Sequence, residues 1–506
     1  MKTEALLERL HVIDSEYRRL EHAAALLQWD QETYLPRDAV EERAEQLGLL
    51  EGIAHERIVS PEVGKLLSEL GSTSENPRGD ESLPALERDF LRILRRNYDR
   101  QIKLPPDFVR SSARAEGLSQ AAWIAARSND DFTAFVPHLA EMVSISRKKA
   151  EYWGAGGAVY DALLDIYEPG ITAREIEGLF EPLKLRLKTL LNRIGSVPQI
   201  HAPFLSEAYD CGAQHTFSMY LLDYLGFDQN RGRLDTSAHP FTTTLGADDV
   251  RITTRFIENN VVSSIFSTIH EMGHAFYEMG FPAELRGTSL GEGVSMGIHE
   301  SQSRLWENVI GRSASFWQGL YPEFRQRFSG RLKAVSMEDF VRGINRVEPS
   351  LIRIEADEVT YSLHIILRFE LEQQLFSGAL SPEDLPKTWN ARMRDLLGTE
   401  PQTNADGVLQ DVHWSMGAFG YFPSYALGNL YGLQFWRKLN ADIPHAEAAI
   451  AQGEFAGIRE WLRDTLYVWG SRLEPAELLF KVCGEKLSVD PFAEYLERKY
   501  SDIYGF

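Results

Sequence analysis

One stretch, His270-Glu271-Met272-Gly273-His274, constrains this chain more than any other part of its sequence. It lies inside an apolar run, residues 261–276, whose hydrophobic residues recur at helical spacing, so we predict a helix there. On a helix, His270 and His274 are one turn apart and point the same way, and two imidazoles so placed can hold one metal ion. Glu271 lies beside the first histidine, where its carboxylate can reach a water on the metal without being a ligand.

A third ligand is needed, because catalytic zinc takes three protein ligands and keeps one position open. We expect it from a second helix, which the sequence predicts from about Met296. Glu300 is the first candidate, His299 the second and Glu292 the third. The alternative is a structural helix with two core histidines, in which Glu271 would also need a buried partner.

Composition excludes several classes of function. The chain has 506 residues, a net charge of −21 and a pI near 5.2, which argues against nucleic acid or an anionic membrane as a partner. Two cysteines make neither a disulfide framework nor a metal site, and they fit a reducing cytoplasm. The N-terminal residues lack an apolar signal core, and no run approaches 18 apolar residues. We therefore expect a cytoplasmic protein.

The rest of the pattern predicts a mostly α fold within a single domain, residues 1–506. Only residues 239–245 and 250–256, rich in β-branched side chains and separated by a Gly-Ala-Asp-Asp turn, are typical of strands. They predict a small hairpin beside the metal helix. The clearest helical stripes cover approximately residues 3–30, 38–55, 83–103, 107–152, 173–194, 206–225, 315–400 and 424–506.

Catalysis by such a site also needs a donor for the oxyanion that forms at the attacked carbonyl, in addition to the metal. Tyr421 and His413, in a polar and aromatic C-terminal stretch, are candidates. Glycine-rich aromatic segments are more often packing elements, so the sequence by itself leaves both interpretations open.

These motifs together resemble the carboxypeptidase Taq family of zinc metallocarboxypeptidases, and the resemblance covers nearly the whole chain. The residues that carry it are Leu27-x-Trp29-Asp30, Tyr160-Asp-Ala-Leu-Leu-Asp-x-Tyr-Glu-Pro-Gly170, His239-Pro240-Phe241, Asp249-x-Arg251-x-Thr253, His270-Glu271-x-x-His274, His299-Glu300-Ser301-Gln302, Ile352-Arg353-x-x-Ala356-Asp357 and Gly407-x-x-Gln410-Asp411-x-His413-Trp414.

The resemblance implies a large helical fold, with helical subdomains on either side of a deep central groove, that is usually a homodimer. It implies removal of single residues from peptides with a free C-terminus, with broad specificity and poor release of proline. It assigns His270, His274 and Glu300 as ligands of Zn²⁺, for which Co²⁺ is a possible substitute. It assigns Glu271 as the general base.

Arg353 is the position that we expect to bind the terminal carboxylate of the substrate, because a guanidinium forks bidentately onto a carboxylate. The alternative is an ion pair within the chain, to Glu355 or Asp357. Arg251 is the second candidate for the carboxylate, although in a strand it can simply orient its neighbours.

A more remote resemblance, to angiotensin-converting enzyme, bears on three residues. Tyr421-Phe-Pro-Ser resembles the segment that carries the oxyanion tyrosine of that enzyme. His413 and His239 resemble its two substrate-binding histidines.

The sequence is also compatible with two other functions. One is a zinc oligopeptidase or dipeptidyl carboxypeptidase, because related helical folds cut inside short peptides or remove two residues. The other is an inactive scaffold that binds peptides, against which the intact Glu271 argues.

Overall fold

A computed structural model describes residues 2–506, and it has the mostly α fold that the sequence predicts, with one small sheet. Long amphipathic helices fill the N-terminal part. Their bounds are α1 (Lys2–Thr33), α2 (Val40–Ile58), α3 (Pro61–Glu69), α4 (Ala85–Ile102), α5 (Pro106–Asn129), α6 (Phe132–Trp153), α7 (Val159–Tyr167), α8 (Ala173–Gly195) and α9 (Cys211–Leu225).

Helix boundaries follow local capping chemistry. Thr172 and Glu175 form a capping box at the start of α8, where each side chain bonds the backbone amide of the other. By contrast, α9 begins later than predicted. Asp210 accepts a hydrogen bond from the amide of Ala213 and starts the helix there, while Pro203–Ser206 forms a separate 3₁₀ turn.

The small sheet has three strands in the order β1-β3-β2: β1 (Gly232–Thr236), β2 (Thr242–Thr244) and β3 (Val250–Thr254). The antiparallel pair β2–β3 is the predicted hairpin. Strand β1, parallel to β3, was not predicted. Its sequence begins with glycine and contains arginine and aspartate, so it lacks the apolar alternation that identifies a strand.

The C-terminal half returns to helices that pack around α10. Helix α11 begins at Met296, as predicted, and continues into a π-helical turn over Leu305–Ile310. The bounds are α10 (Val261–Met279), α11 (Met296–Arg304), α12 (Ala314–Arg327), α13 (Ser329–Leu332), α14 (Met337–Ile344), α15 (Tyr361–Ser377), α16 (Leu385–Leu397), α17 (Pro423–Asp442), α18 (Ala446–Ala451), α19 (Ala456–Thr465), α20 (Pro475–Cys483) and α21 (Asp490–Tyr504).

Two hydrophobic cores support this arrangement. The large core includes α10, α11, α15 and α17, whereas the small core is built mainly from α1, α3 and α4. Leu285 and Leu290, from the loop between α10 and α11, belong to the small core. That loop therefore joins the two cores. Within residues 2–506, no helix is both long and apolar enough to cross a membrane.

Candidate metal centre and active site

Helix α10 carries the His-Glu-x-x-His motif and is buried along most of its length. Its first turn is capped by Asn260, which accepts a hydrogen bond from the amide of Ser263. Gly273 lies where α11 crosses: a Cβ there would come within 2.7 Å of Ser303 Cα. The missing side chain lets the two helices approach closely enough for Glu300 to reach the histidines.

His270, His274 and Glu300 form one cluster of potential metal ligands. Glu300 Oε2 lies 3.8 Å from His270 Nε2 and 3.5 Å from His274 Nε2. Two ligands about 2.1 Å from one ion at the tetrahedral angle are about 3.4 Å apart, so these separations fit a shared metal ion. The two imidazoles keep 18% and 14% of their side-chain surface exposed, so solvent can reach the site.

The other ring nitrogen of each histidine is engaged in a way that fixes its orientation. His270 Nδ1 lies 2.8 Å from a carboxylate oxygen of Glu307. His274 Nδ1 lies 2.6 Å from His299 Nδ1, and His299 Nε2 lies 2.8 Å from Glu278. With the ring protons directed along these contacts, toward Glu307 and toward Glu278, the Nε2 atoms of His270 and His274 keep free lone pairs for a metal.

Glu300 is held by neighbours on two sides. Arg304, one turn later on α11, donates to Glu300 Oε1 at 2.7 Å, which leaves Oε2 directed at the histidines. Gly428 of α17 packs against its stem: a Cβ on that glycine would be 2.6 Å from Glu300 Cγ. The carboxylate therefore has little freedom to turn away.

Burial alone would lower the pKa of His270, but Glu300 and Glu307 outweigh it and raise that pKa above its usual value, so a metal ion would displace a proton there. The protonation states of the other groups suit ligands. Burial lowers the pKa of His274 to about 3, so its imidazole is neutral at physiological pH. Burial alone would raise the pKa of Glu300, but the charges of Arg304 and His270 outweigh it and hold that pKa below the usual range. Burial acts the same way on Glu307, and His270 and Arg304 nevertheless lower its pKa to about 2.

Glu271 points to the small sheet. Thr242, in β2, donates to its Oε2 at 2.7 Å. Burial raises the pKa of the Glu271 carboxyl, while His270 and the Thr242 hydroxyl oppose that rise. The predicted hairpin thus supplies a group that orients this carboxylate.

Arg353 does form an ion pair within the chain, but its partner is neither Glu355 nor Asp357. Its guanidinium donates to Asp411 Oδ1 at 2.9 Å, and to the Tyr361 hydroxyl at 3.1 Å. Asp411 Oδ2 accepts in turn from Arg368 at 2.7 Å. Two guanidinium groups and one carboxylate leave this buried cluster with one positive charge.

Tyr421 and His413 lie together, with ring centroids 5.3 Å apart. Burial and the charge of Glu300 raise the pKa of Tyr421 to about 12, so the phenol keeps its proton. Burial lowers the pKa of His413 to about 4, so this imidazole is neutral.

Four other candidates are not among the three residues of the metal-ligand cluster. His239 is exposed on the loop between β1 and β2. Arg251 donates to Asp249 at 2.9 Å and stacks on the Trp29 ring at 4.5 Å. Glu292 forms an ion pair with Arg18 of α1, and His299 contacts His274 rather than completing the ligand set.

Sequence reasoning did not single out five residues that orient the site: Thr242, Glu278, Arg304, Glu307 and Arg368. Helical spacing could have revealed two of them, because Arg304 and Glu307 follow Glu300 by one and two turns on the same face. Glu278 is a third, because it follows His274 by one turn on α10. Thr242 and Arg368 come from other elements and have no local signal.

Comparison with known proteins places the chain among metallopeptidases. The family model described as carboxypeptidase Taq (M32) metallopeptidase matches residues 9–500. Thermostable carboxypeptidase 1 of Thermus thermophilus is 44% identical, with all of both chains covered. Carboxypeptidase 1 of Bacillus subtilis is 39% identical, over 98% of this chain and 99% of the relative.

A solved structure gives the same result for the fold. The crystal structure of the M32 carboxypeptidase from Deinococcus radiodurans superposes with a TM-score of 0.95 at 37% identity. It covers 99% of this chain and 100% of that one. The chain belongs to the carboxypeptidase Taq (M32) family and is a metallocarboxypeptidase, which hydrolyses peptide substrates with a divalent metal ion.

Proposed function

We propose that this metallocarboxypeptidase is a zinc enzyme that releases single amino acids from the C-termini of peptides, with broad specificity and poor release of proline. The observation that carries the proposal is the convergence of His270, His274 and Glu300 beside Glu271. The specificity is carried over from the family resemblance.

Zinc is the ion that the donor set favours. Two imidazoles and one carboxylate form a common catalytic zinc site, whereas magnesium and calcium prefer ligands made of oxygen alone. Cobalt is the substitute that we expect to support activity. Once bound, the ion would supply Lewis-acid chemistry, which lowers the pKa of a water molecule and polarises the peptide carbonyl.

Glu271 is the general base of this proposal. Thr242 holds Oε2, and we assign to Oε1 the proton of the attacking water, which then passes to the amine that leaves. Burial raises the pKa of this carboxyl above its ordinary value, which makes the carboxylate a stronger base. Tyr421, which burial keeps protonated, donates to the developing oxyanion, with His413 as a neutral donor beside it.

Arg353 is the proposed anchor for the terminal carboxylate. Its pairing with Asp411 does not neutralise the cluster, because Arg368 contributes a second positive charge. A substrate carboxylate brings the charge that balances the set. His239 and Arg251 stay in the proposal as substrate contacts, on resemblance alone.

The first experiment is digestion of an unblocked peptide, followed by mass spectrometry, with and without a chelator. We expect a ladder of single C-terminal losses that stops with the chelator and returns with added Zn²⁺. Losses in steps of two, or internal cuts, would favour the dipeptidyl carboxypeptidase or oligopeptidase alternative. Intact peptide under all conditions would favour the inactive scaffold.

A second experiment decides whether Arg353 or Arg251 binds the terminal carboxylate of the substrate. Arg353→Ala should raise KM for a free C-terminus at least tenfold and reduce discrimination against an amidated peptide. Arg255→Ala is the matched control, because that residue pairs with Glu355 in an exposed position. If Arg251→Ala produces the larger loss, the anchor is Arg251.

The same proposal includes the organisation of the protein. We infer one catalytic domain over residues 1–506, a homodimer and a cytoplasmic location, on the family resemblance and the two cysteines. Sedimentation of the purified chain tests the dimer directly: a mass near 57.4 kDa would contradict it.

A further inference from the structure

Glu372, on α15, is a fully buried carboxylate that the reaction described above does not use. Three donors converge on it. The Trp414 indole donates to Oε1 at 2.7 Å, and the Tyr160 hydroxyl and the Gly420 amide donate to Oε2 at 2.7 and 2.9 Å. Burying a carboxylate without a charged partner costs free energy. Three hydrogen bonds that converge on one such group therefore indicate that it has a structural role.

The positions of the three donors in the sequence show what this structural role is. Trp414 directly follows His413, and Gly420 directly precedes Tyr421. Glu372 therefore binds both ends of the segment 413–421, and both candidate oxyanion donors lie at those ends. The third donor, Tyr160, comes from the 160–170 motif, to which the catalytic roles assign nothing.

The segment also has contacts of its own: Phe419 is buried against Phe376, and the Ala418 amide donates to the His413 carbonyl. Gly420 has a φ of +84°, and a Cβ there would lie 2.8 Å from the backbone of Leu163 and Leu164 in α7. This turn therefore depends on glycine and on a close approach to α7. Both features place the Gly420 amide where it can reach Glu372.

We propose that Glu372 is a positioning residue: it holds the segment 413–421, and with it Tyr421 and His413, in the geometry that the reaction uses. The inference rests on the proposed oxyanion role of Tyr421. Burial raises the pKa of Glu372 to about 7, so the three donors offset only part of the cost of enclosing its charge.

Glu372→Gln tests this with almost no change in volume. The amide oxygen must take the place of Oε2, which has two donors, so the amide nitrogen faces the Trp414 indole N–H. Two donors then oppose each other. We expect kcat to fall 10- to 100-fold, KM to change less than about threefold, and metal content to stay the same.

Hydrogen exchange gives a readout that does not depend on catalysis. Amides of residues 413–421 should exchange at least tenfold faster in Glu372→Gln. Tyr160→Phe removes one donor and should give a smaller change in the same direction, which covers the case that the first variant folds poorly. Glu370→Gln is the control, because Glu370 lies on the same helix and pairs with Lys184 near the surface.

A double-variant cycle links the exchange result to catalysis. In a Tyr421→Phe background, Glu372→Gln should cost less than about threefold in kcat, because its effect acts through Tyr421. Fully multiplicative losses, or unchanged exchange of the segment, would overturn the inference. If Tyr421→Phe alone keeps full kcat, the oxyanion role fails instead, and the exchange experiment still decides whether Glu372 holds the segment.

Discussion

The hydroxyl of Thr242 is the one contact from the sheet that orients the Glu271 carboxylate. Thr242→Val keeps the shape and removes the donor. We expect kcat to fall about tenfold at unchanged metal content, because one hydrogen bond to a charged group contributes about 1.5 kcal/mol. Steady-state kinetics and elemental analysis measure the two quantities.

The matched control is Thr243→Val, on the next residue of the strand, whose side chain points to the other face of the sheet. Its kcat should match that of the wild type. Equal losses in both variants would mean that the effect comes from the strand and not from the hydroxyl.

We expect His299 to support metal binding through His274, whose Nδ1 it contacts at 2.6 Å. His299→Ala leaves His274 without that partner, and we expect the dissociation constant for Zn²⁺ to rise 10- to 100-fold. His299→Asn retains an acceptor near the same position and should lose less. Competition with a chromophoric chelator gives both dissociation constants. Equal affinities in the two variants would contradict the idea that His299 acts by accepting the proton of His274 Nδ1.

The proximity of His270, His274 and Glu300 was predictable because it follows from their spacing in the sequence. His270 and His274 are one helical turn apart, and Glu300 opens the next predicted helix. The ion pair of Arg353 was not predictable in the same way. Its partner, Asp411, lies 58 positions away, whereas the nearest acidic residues in the sequence are Glu355 and Asp357.

At the scale of secondary structure, long helices were predicted well because an apolar stripe of many residues fixes the period. Strand β1 was missed because a short edge strand gains its stability from pairing with β3 and not from its own pattern. The same limit applies to Gly273 and Gly428. Their need for a missing side chain comes from helices packed across them.

Helix α11 is also anchored at its N-terminus by Glu168, which accepts from the Gly297 amide at 3.1 Å and from the Tyr431 hydroxyl at 2.8 Å. Burial raises the pKa of Glu168 from 4.5 to about 7. The folded protein therefore binds this proton more tightly than the unfolded chain does. The contribution to stability is present below about pH 4.5 and is lost as the pH rises to about 7.

Glu168→Gln removes that titration, because the amide is neutral throughout. As the pH rises from 5 to 8, the wild type should lose stability that the variant keeps. The free energy of unfolding of the variant should therefore increase relative to that of the wild type by up to about 3 kcal/mol. Urea unfolding at several pH values measures it, with the exposed Glu151→Gln as control. Parallel pH profiles for Glu168→Gln and the wild type would show that this carboxyl does not titrate differently on folding.

At the scale of the whole molecule, the loop between α10 and α11 connects the metal centre to the small N-terminal core. Leu285 and Leu290 pack in that core. The amide of Ser289 donates at 2.8 Å to Asp14, a buried residue of α1. Since this loop joins the two helices that carry the ligands, the position of α11 depends on packing around α1 as well as on the large core.

Leu290→Ala tests this connection. Deleting a buried leucine side chain costs about 2–5 kcal/mol, and here the cavity loosens the loop that leads into α11. We expect the dissociation constant for Zn²⁺ to rise several-fold, although residue 290 contacts no ligand. Leu67→Ala creates a similar cavity in the same core, on α3 instead of the loop, and should destabilise the core while leaving metal affinity near that of the wild type. If both variants weaken metal binding equally, the coupling runs through the stability of the core; if neither does, α10 and α11 position the ligands without support from the N-terminal helices.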